Sequence, residues 1–144
     1  MSDTLPTLAG QAAIDRLAER IALRDTPPEL RNPHRYEPPW VRARLAGALT
    51  TLLPGRNSRG LAIRAAMCHA FVEREALTAA ELAAVAGVQR LAAGRALADL
   101  GEVGLLRAAY KGGKRRRYRL TRFGEDWLLA LARCETPPLA PAAP

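Results

Sequence analysis

The residues best equipped for chemistry in this sequence are cations crowded into one short stretch. Between Leu105 and Arg122 stand Arg107, Lys111, Lys114, Arg115, Arg116, Arg117, Arg119 and Arg122, and the span holds no Asp or Glu. Guanidinium and ammonium groups at that density bind phosphate oxygens, Arg through a planar fork and Lys as a point charge. The chain carries 22 Lys and Arg against 14 Asp and Glu, a formal charge of +8. Setting these eight cations aside leaves 14 of each sign, so the entire net charge sits on this stretch. A loop that only keeps a protein soluble mixes both signs. The expected partner is a polyanion, gripped through its phosphates.

Other reactive side chains are sparse. Cys68 and Cys134 stand far apart, with no CxxC pair and no Cys/His cluster of zinc spacing. There is no GxxxxGKS/T, GxSxG or HExxH motif, and Glu125 and Asp126 are adjacent helical carboxylates pointing in different directions. No catalysis, metal or cofactor is expected. Met1 to Gly10 is polar and broken by Pro6, and no run approaches the ~20 apolar residues of a membrane span. A cytoplasmic protein without a membrane partner is expected.

Positioning the basic stretch falls to a series of short elements. Gln11 to Leu23 places Ile14, Leu17 and Ile21 on one helical face. Asp25 to Pro39 contains five prolines, which points to an extended linker or an ordered crossing loop. From Trp40 to Leu53, Val41, Leu45, Leu49 and Leu52 form a second apolar stripe, ended by Pro54-Gly55. Residues 1–56 read as an N-terminal helical arm offering a dimerisation or partner surface. A helix from about Ser58 to Glu75 follows, with Ile63, Met67 and Phe71 at four-residue intervals. Met67 and Cys68 at that spacing are packing groups.

The next junction is specific. In Leu77-Thr78-Ala79-Ala80-Glu81-Leu82, Thr78 is placed to cap a helix and Glu81 to reach back to the cap. Leu77 and Leu82 hold the two positions of a hydrophobic staple. Gly87 suits a left-handed helix end, and a tight turn leads to a second helix, about Gln89 to Glu102. Two short helices joined in this way are a helix-turn-helix. Leu105–Tyr110 and Arg115–Leu120 then flank Lys111-Gly112-Gly113-Lys114, a hairpin signal. Thr121 caps a final helix whose apolar side is Phe123, Trp127, Leu128 and Leu131, and the tail 136–144 is expected to be disordered. The fold class is mainly α with a small β-hairpin: a winged helix-turn-helix over 57–135 with an N-terminal helical extension.

Three stretches, LTAAELAAVAGVQR, LADLGEVGLL and KRRRYRLTRFGEDWL, resemble the DNA-binding core of MarR-type transcriptional regulators. The matching positions are Leu77-Thr78, Glu81-Leu82-Ala83, Gly87-Val88, Leu100, Gly104-Leu105-Leu106 and Leu120-Thr121 with Gly124. The resemblance implies that Gln89–Glu102 is a recognition helix, with Gln89, Arg90 and Arg95 facing DNA. Gln pairs with adenine and Arg with guanine in the major groove, although Gln89 serves equally well as a phosphate contact. Leu91 is open between a thymine methyl and a protein partner. Gly94 is open between close backbone approach to DNA and weak selection for helicity.

The wing residues expected on DNA are Lys111, Lys114, Arg115, Arg116, Arg117 and Arg119. The expected function is a DNA-binding regulator, a repressor acting as a homodimer on double-stranded DNA, with any small-molecule effector unidentified. The rival is a winged-helix protein adaptor in a phage, plasmid or replication complex.

Overall fold

A computed structural model describes residues 4–110 and 116–142, and it divides the chain into two compact units, Met1–Arg35 and Tyr36–Pro144. The first unit holds α1 (Thr4–Asp25) and the single turn α2 (Pro28–Arg31). The proline-rich segment is ordered by its own polar groups. Arg31 Nε and Nη2 donate to the carbonyls of Thr26 (2.8 Å) and Arg24 (2.7 Å), closing the C-terminus of α1. Asn32 Oδ1 accepts from the His34 amide at 2.9 Å, a local turn that mimics backbone pairing. Along α1, Ile14, Leu17 and Ile21 are all exposed.

The second unit begins with α3 (Pro38–Leu52) and α4 (Ser58–His69), followed by a 3-10 turn over Ala70–Val72. Next come β1 (Leu77–Thr78), α5 (Ala79–Ala86), α6 (Arg90–Glu102), β2 (Leu106–Tyr110), β3 (Arg116–Leu120) and α7 (Arg122–Ala132). The strands form one antiparallel sheet in the order β1-β3-β2. Helix, short strand, helix-turn-helix, hairpin and helix in that order and pairing make a winged helix. Among the described residues, no helix is long and apolar enough to cross a membrane.

Four sequence expectations change. The arm expected over residues 1–56 is shorter, because α3 belongs to the winged-helix unit: Val41, Leu45 and Leu49 are buried in the same core as Met67, Leu100 and Trp127. Arg44 also donates through Nε to the Leu131 carbonyl at 2.9 Å, tying α3 to the end of α7. The helix expected to run to Glu75 ends early, because the chain must become extended to enter β1. The hairpin gains a third strand, with Leu77 opposite Tyr118 and Thr78 opposite Arg117. Finally, the tail from Thr136 has no helix or strand through residue 142, but Pro137 and Pro138 are half-buried beside Leu52, Trp127 and Leu131. Proline rings supply apolar surface without side-chain entropy to lose, so a tail poor in large groups still packs.

At the base of the wing, α7 meets the entry to β2 through its backbone. Gly104, at φ +85°, ends α6, with the Leu105 amide bonded to the Leu100 carbonyl at 3.0 Å. The Thr121 amide donates to the Leu105 carbonyl at 3.0 Å, and the Thr121 hydroxyl donates to the Gly104 carbonyl. Thr121 Oγ1 in turn accepts from the Gly124 amide at 2.9 Å, capping α7. A Cβ at Gly124 would lie 2.1 Å from the Leu105 carbonyl oxygen.

Candidate nucleic-acid interface

The helix-turn-helix is assembled by short-range hydrogen bonds. The Glu81 amide donates to Thr78 Oγ1 at 3.2 Å, and the Thr78 amide donates to Glu81 Oε1 at 2.9 Å. Arg74 Nη2 adds a bond to Glu81 Oε2 at 2.8 Å. The Thr78 amide first, and Arg74 after it, hold the Glu81 carboxyl below its ordinary pKa. Leu77 and Leu82 are buried beneath the junction as the staple requires. α5 stops at Gly87 (φ +66°), where the Val88 and Gly87 amides return to the Ala83 and Ala84 carbonyls at 3.0 and 3.2 Å. Gln89 then takes the extended N-cap position of α6 without capping it through its side chain, so its exposed amide is not consumed by the helix end.

α6 is divided by its own periodicity. Ala93, Ala96, Leu97 and Leu100 are buried, whereas Gln89, Arg90, Leu91, Gly94, Arg95 and Ala98 are exposed. The three helix residues expected at the interface are therefore all exposed, with Arg90 and Arg95 on the two flanks of the open face and Gln89 at the helix entrance. A groove between α5 and α6, lined by Ala80, Ala84, Arg90 and Gly94, reaches Tyr118 of β3, so α6 and the wing border one continuous surface.

An ionic clamp absent from the sequence reading fixes α6 in place. Asp99 Oδ2 accepts from Arg64 Nε at 2.9 Å, and Arg64 Nη1 donates to the Gly60 carbonyl at 2.8 Å. Arg56 forks onto the same carboxylate through Nε (2.9 Å) and Nη2 (3.0 Å). The Arg64 and Asp99 side chains are 10% and 13% exposed, so neither partner can be removed cheaply. Asp99→Ala is expected to destabilise the unit by about 2 to 3 kcal/mol, by stranding Arg64 in a largely buried site.

The hydrogen bond from Arg56, followed by the pairing with Arg64, holds the Asp99 carboxyl below its ordinary value. A depressed carboxyl stabilises the fold above its unfolded pKa and loses that contribution as pH falls through the folded one. Urea midpoints should therefore fall below about pH 4 in the native protein, and fall less in Asp99→Asn. Equal acid sensitivity in both would remove Asp99 as the cause.

On the wing, the register sets Arg107 opposite Arg119, Ala109 opposite Arg117 and Tyr110 opposite Arg116. Arg107, Arg117 and Arg119 thus share one face of the sheet. Two like charges directly opposed across strands repel. Here the repulsion is relieved by Glu75, whose carboxylate accepts from Arg119 Nη1, while Arg122 Nε reaches Asp126 at 3.3 Å. A cleft of about 450 Å³ at the wing base brings Arg107, Arg119 and Arg122 beside Glu73, Glu75 and Glu125. The purely cationic span of the sequence is therefore partly countered at its base by carboxylates from distant segments. Arg119, one of the expected contacts, is already ion-paired with Glu75. Arg116 and Arg117 are exposed, and Lys111, Lys114 and Arg115 lie outside the described residues.

The remaining reactive groups are accounted for by packing. Cys68 is buried, and burial pushes its thiol pKa up to about 12, which leaves no thiolate at neutral pH. His69 accepts from Arg42 Nε at 3.4 Å, and burial, with Arg42 adding to it, lowers its pKa. Among the described residues, no group of three or more His, Cys, Asp or Glu is placed to hold a metal.

No family model and no curated protein matches this sequence. A solved structure described as a transcriptional regulator of the MarR family from Silicibacter pomeroyi is similar to it, at 24% identity and a TM-score of 0.45. The likeness covers 70% of this chain and 66% of that one, just under two thirds of its length. The winged-helix assignment rests on the element order and sheet topology described above.

Proposed function

We propose that this chain is a DNA-binding transcriptional regulator that sets α6 in the major groove and its wing on the flanking backbone or minor groove. The observation that carries the reading is the groove in which Arg90 and Gly94 of α6 meet Tyr118 of β3, a strand within the stretch that carries the chain's net positive charge. Phosphate contacts supply affinity and position, and the α6 side chains face the base edges. Repression follows from occupancy of a promoter. A homodimer reading two half-sites is supported by the exposed Ile14, Leu17 and Ile21, an apolar stripe along α1. An effector would find an apolar cavity of about 310 Å³ lined by Ala48, Leu52, Trp127, Leu131 and Pro138. We place the protein in the cytoplasm, with the DNA it would regulate.

The test is fluorescence anisotropy of the full chain with a random duplex pool, across a salt series, alongside its mass by light scattering. Binding that weakens steeply with salt and a particle of twice 15.6 kDa are expected. Absence of binding at low salt would overturn the reading. A second reading, a protein adaptor, is favoured by the exposed Leu91 and Trp40. One stoichiometric protein partner together with no DNA affinity would establish it.

A further inference from the structure

We propose that Leu91 is a base-reading residue that contacts the 5-methyl groups of thymine, making this protein selective for thymine through apolar rather than hydrogen-bonded readout. The inference rests on the DNA-binding reading above and goes beyond it by assigning the chemistry of recognition.

Leu91 stands in the first turn of α6 with 71% of its surface exposed, the greatest exposure of any large apolar side chain in the helix-turn-helix. A leucine left in water gains none of the free energy of burial, which a partner that covers it would recover. Nothing among the described residues covers it. Its neighbours on the open face are Gly94 and Ala98, with Arg90 and Arg95 on the flanks, and these five residues line one shallow apolar recess. Two guanidiniums bracketing an apolar centre match a major groove, where phosphates rim an interior whose only apolar group is the thymine methyl. A hydrophobic protein surface would offer no anion to either arginine.

Gly94 points the same way. A Cβ there would meet nothing within 4 Å, and its φ is not positive, so neither packing nor backbone conformation demands glycine. The missing methyl leaves the helix backbone open one turn from Leu91, within the same recess. The hydrogen-bonding inventory of this face is correspondingly thin. Besides the two arginines it contains only Gln89 at the helix entrance, so sequence discrimination by polar contacts is limited.

The experiment exploits the one-methyl difference between thymine and uracil. Duplex sites enriched from a random pool by the full chain are amplified once with dTTP and once with dUTP, and both are titrated against the native protein and Leu91→Ala. Burial of one methyl corresponds to about fourfold in affinity. The native protein is expected to bind the thymine duplexes about four- to twentyfold more tightly than the uracil duplexes. Leu91→Ala, which alters an exposed side chain and leaves the core intact, is expected to bind both alike. Equal binding of both duplexes by the native protein would overturn the inference while leaving DNA binding intact. A thymine preference that survives in Leu91→Ala would overturn the assignment to this residue. Binding to neither duplex would overturn the DNA reading itself, and the inference with it.

Discussion

Gly124→Ala is expected to cost at least about 3 kcal/mol and to lower the melting temperature by more than about 10 °C. The position lies in the first turn of α7, where the helix backbone touches the start of β2. The added Cβ would sit 2.1 Å from the Leu105 carbonyl oxygen, 3.0 Å from its carbon and 3.2 Å from Leu120 Cδ2. Two of those atoms are backbone and cannot swing aside. The same carbonyl accepts the Thr121 amide, so moving it also strains the α7 cap. Gly94→Ala provides the contrast. It adds a methyl in open space within a helix and is expected to stabilise by about 0.5 to 1 kcal/mol. Thermal melts followed by far-UV circular dichroism separate the two, and a Gly124→Ala melt within a few degrees of native would refute the account.

Replacing Arg115, Arg116 and Arg117 together with Ala is expected to weaken DNA binding on the order of 100-fold at low salt. The slope of log K against log salt should flatten by about 2 to 3, one counterion for each lost phosphate contact. Because phosphates carry no sequence, selected and random duplexes should lose affinity alike. The described members, Arg116 and Arg117, are exposed, and far-UV circular dichroism of the variant should match that of the native protein. Unequal loss on selected and random DNA would make the wing a base reader. Arg119→Ala should lose less than Arg117→Ala, because Arg119 is engaged by Glu75.

The parts of this molecule legible in its sequence are those whose physics is local. Thr78 and Glu81 are three residues apart, as are Thr121 and Gly124, and each pair forms the cap its spacing implies. Gly87 takes the left-handed conformation that only a residue without Cβ adopts freely. The split of α6 into a buried and an open face follows from its apolar period, and with it the exposure of Arg90 and Arg95. The run of arginines after Lys114 is visible without any structure at all.

Tertiary structure alone decided where distant segments meet. β1 is only two residues long, with no period to read, and it exists because Leu77 and Thr78 come to lie beside β3. Arg64 and Asp99 are 35 residues apart, Glu75 and Arg119 are 44 apart, and Arg44 reaches a carbonyl 87 residues away. Nothing within one helical turn of any of them announces its partner. The inclusion of α3 in the winged-helix core, the clamp on α6 and the countering of charge at the wing base all depend on which faces pack together. Caps, turns and periodicity are set by interactions spanning a few residues, and composition by no geometry at all. The placement of buried ions and cross-strand pairs is set by the whole chain's packing, and so emerges only in three dimensions.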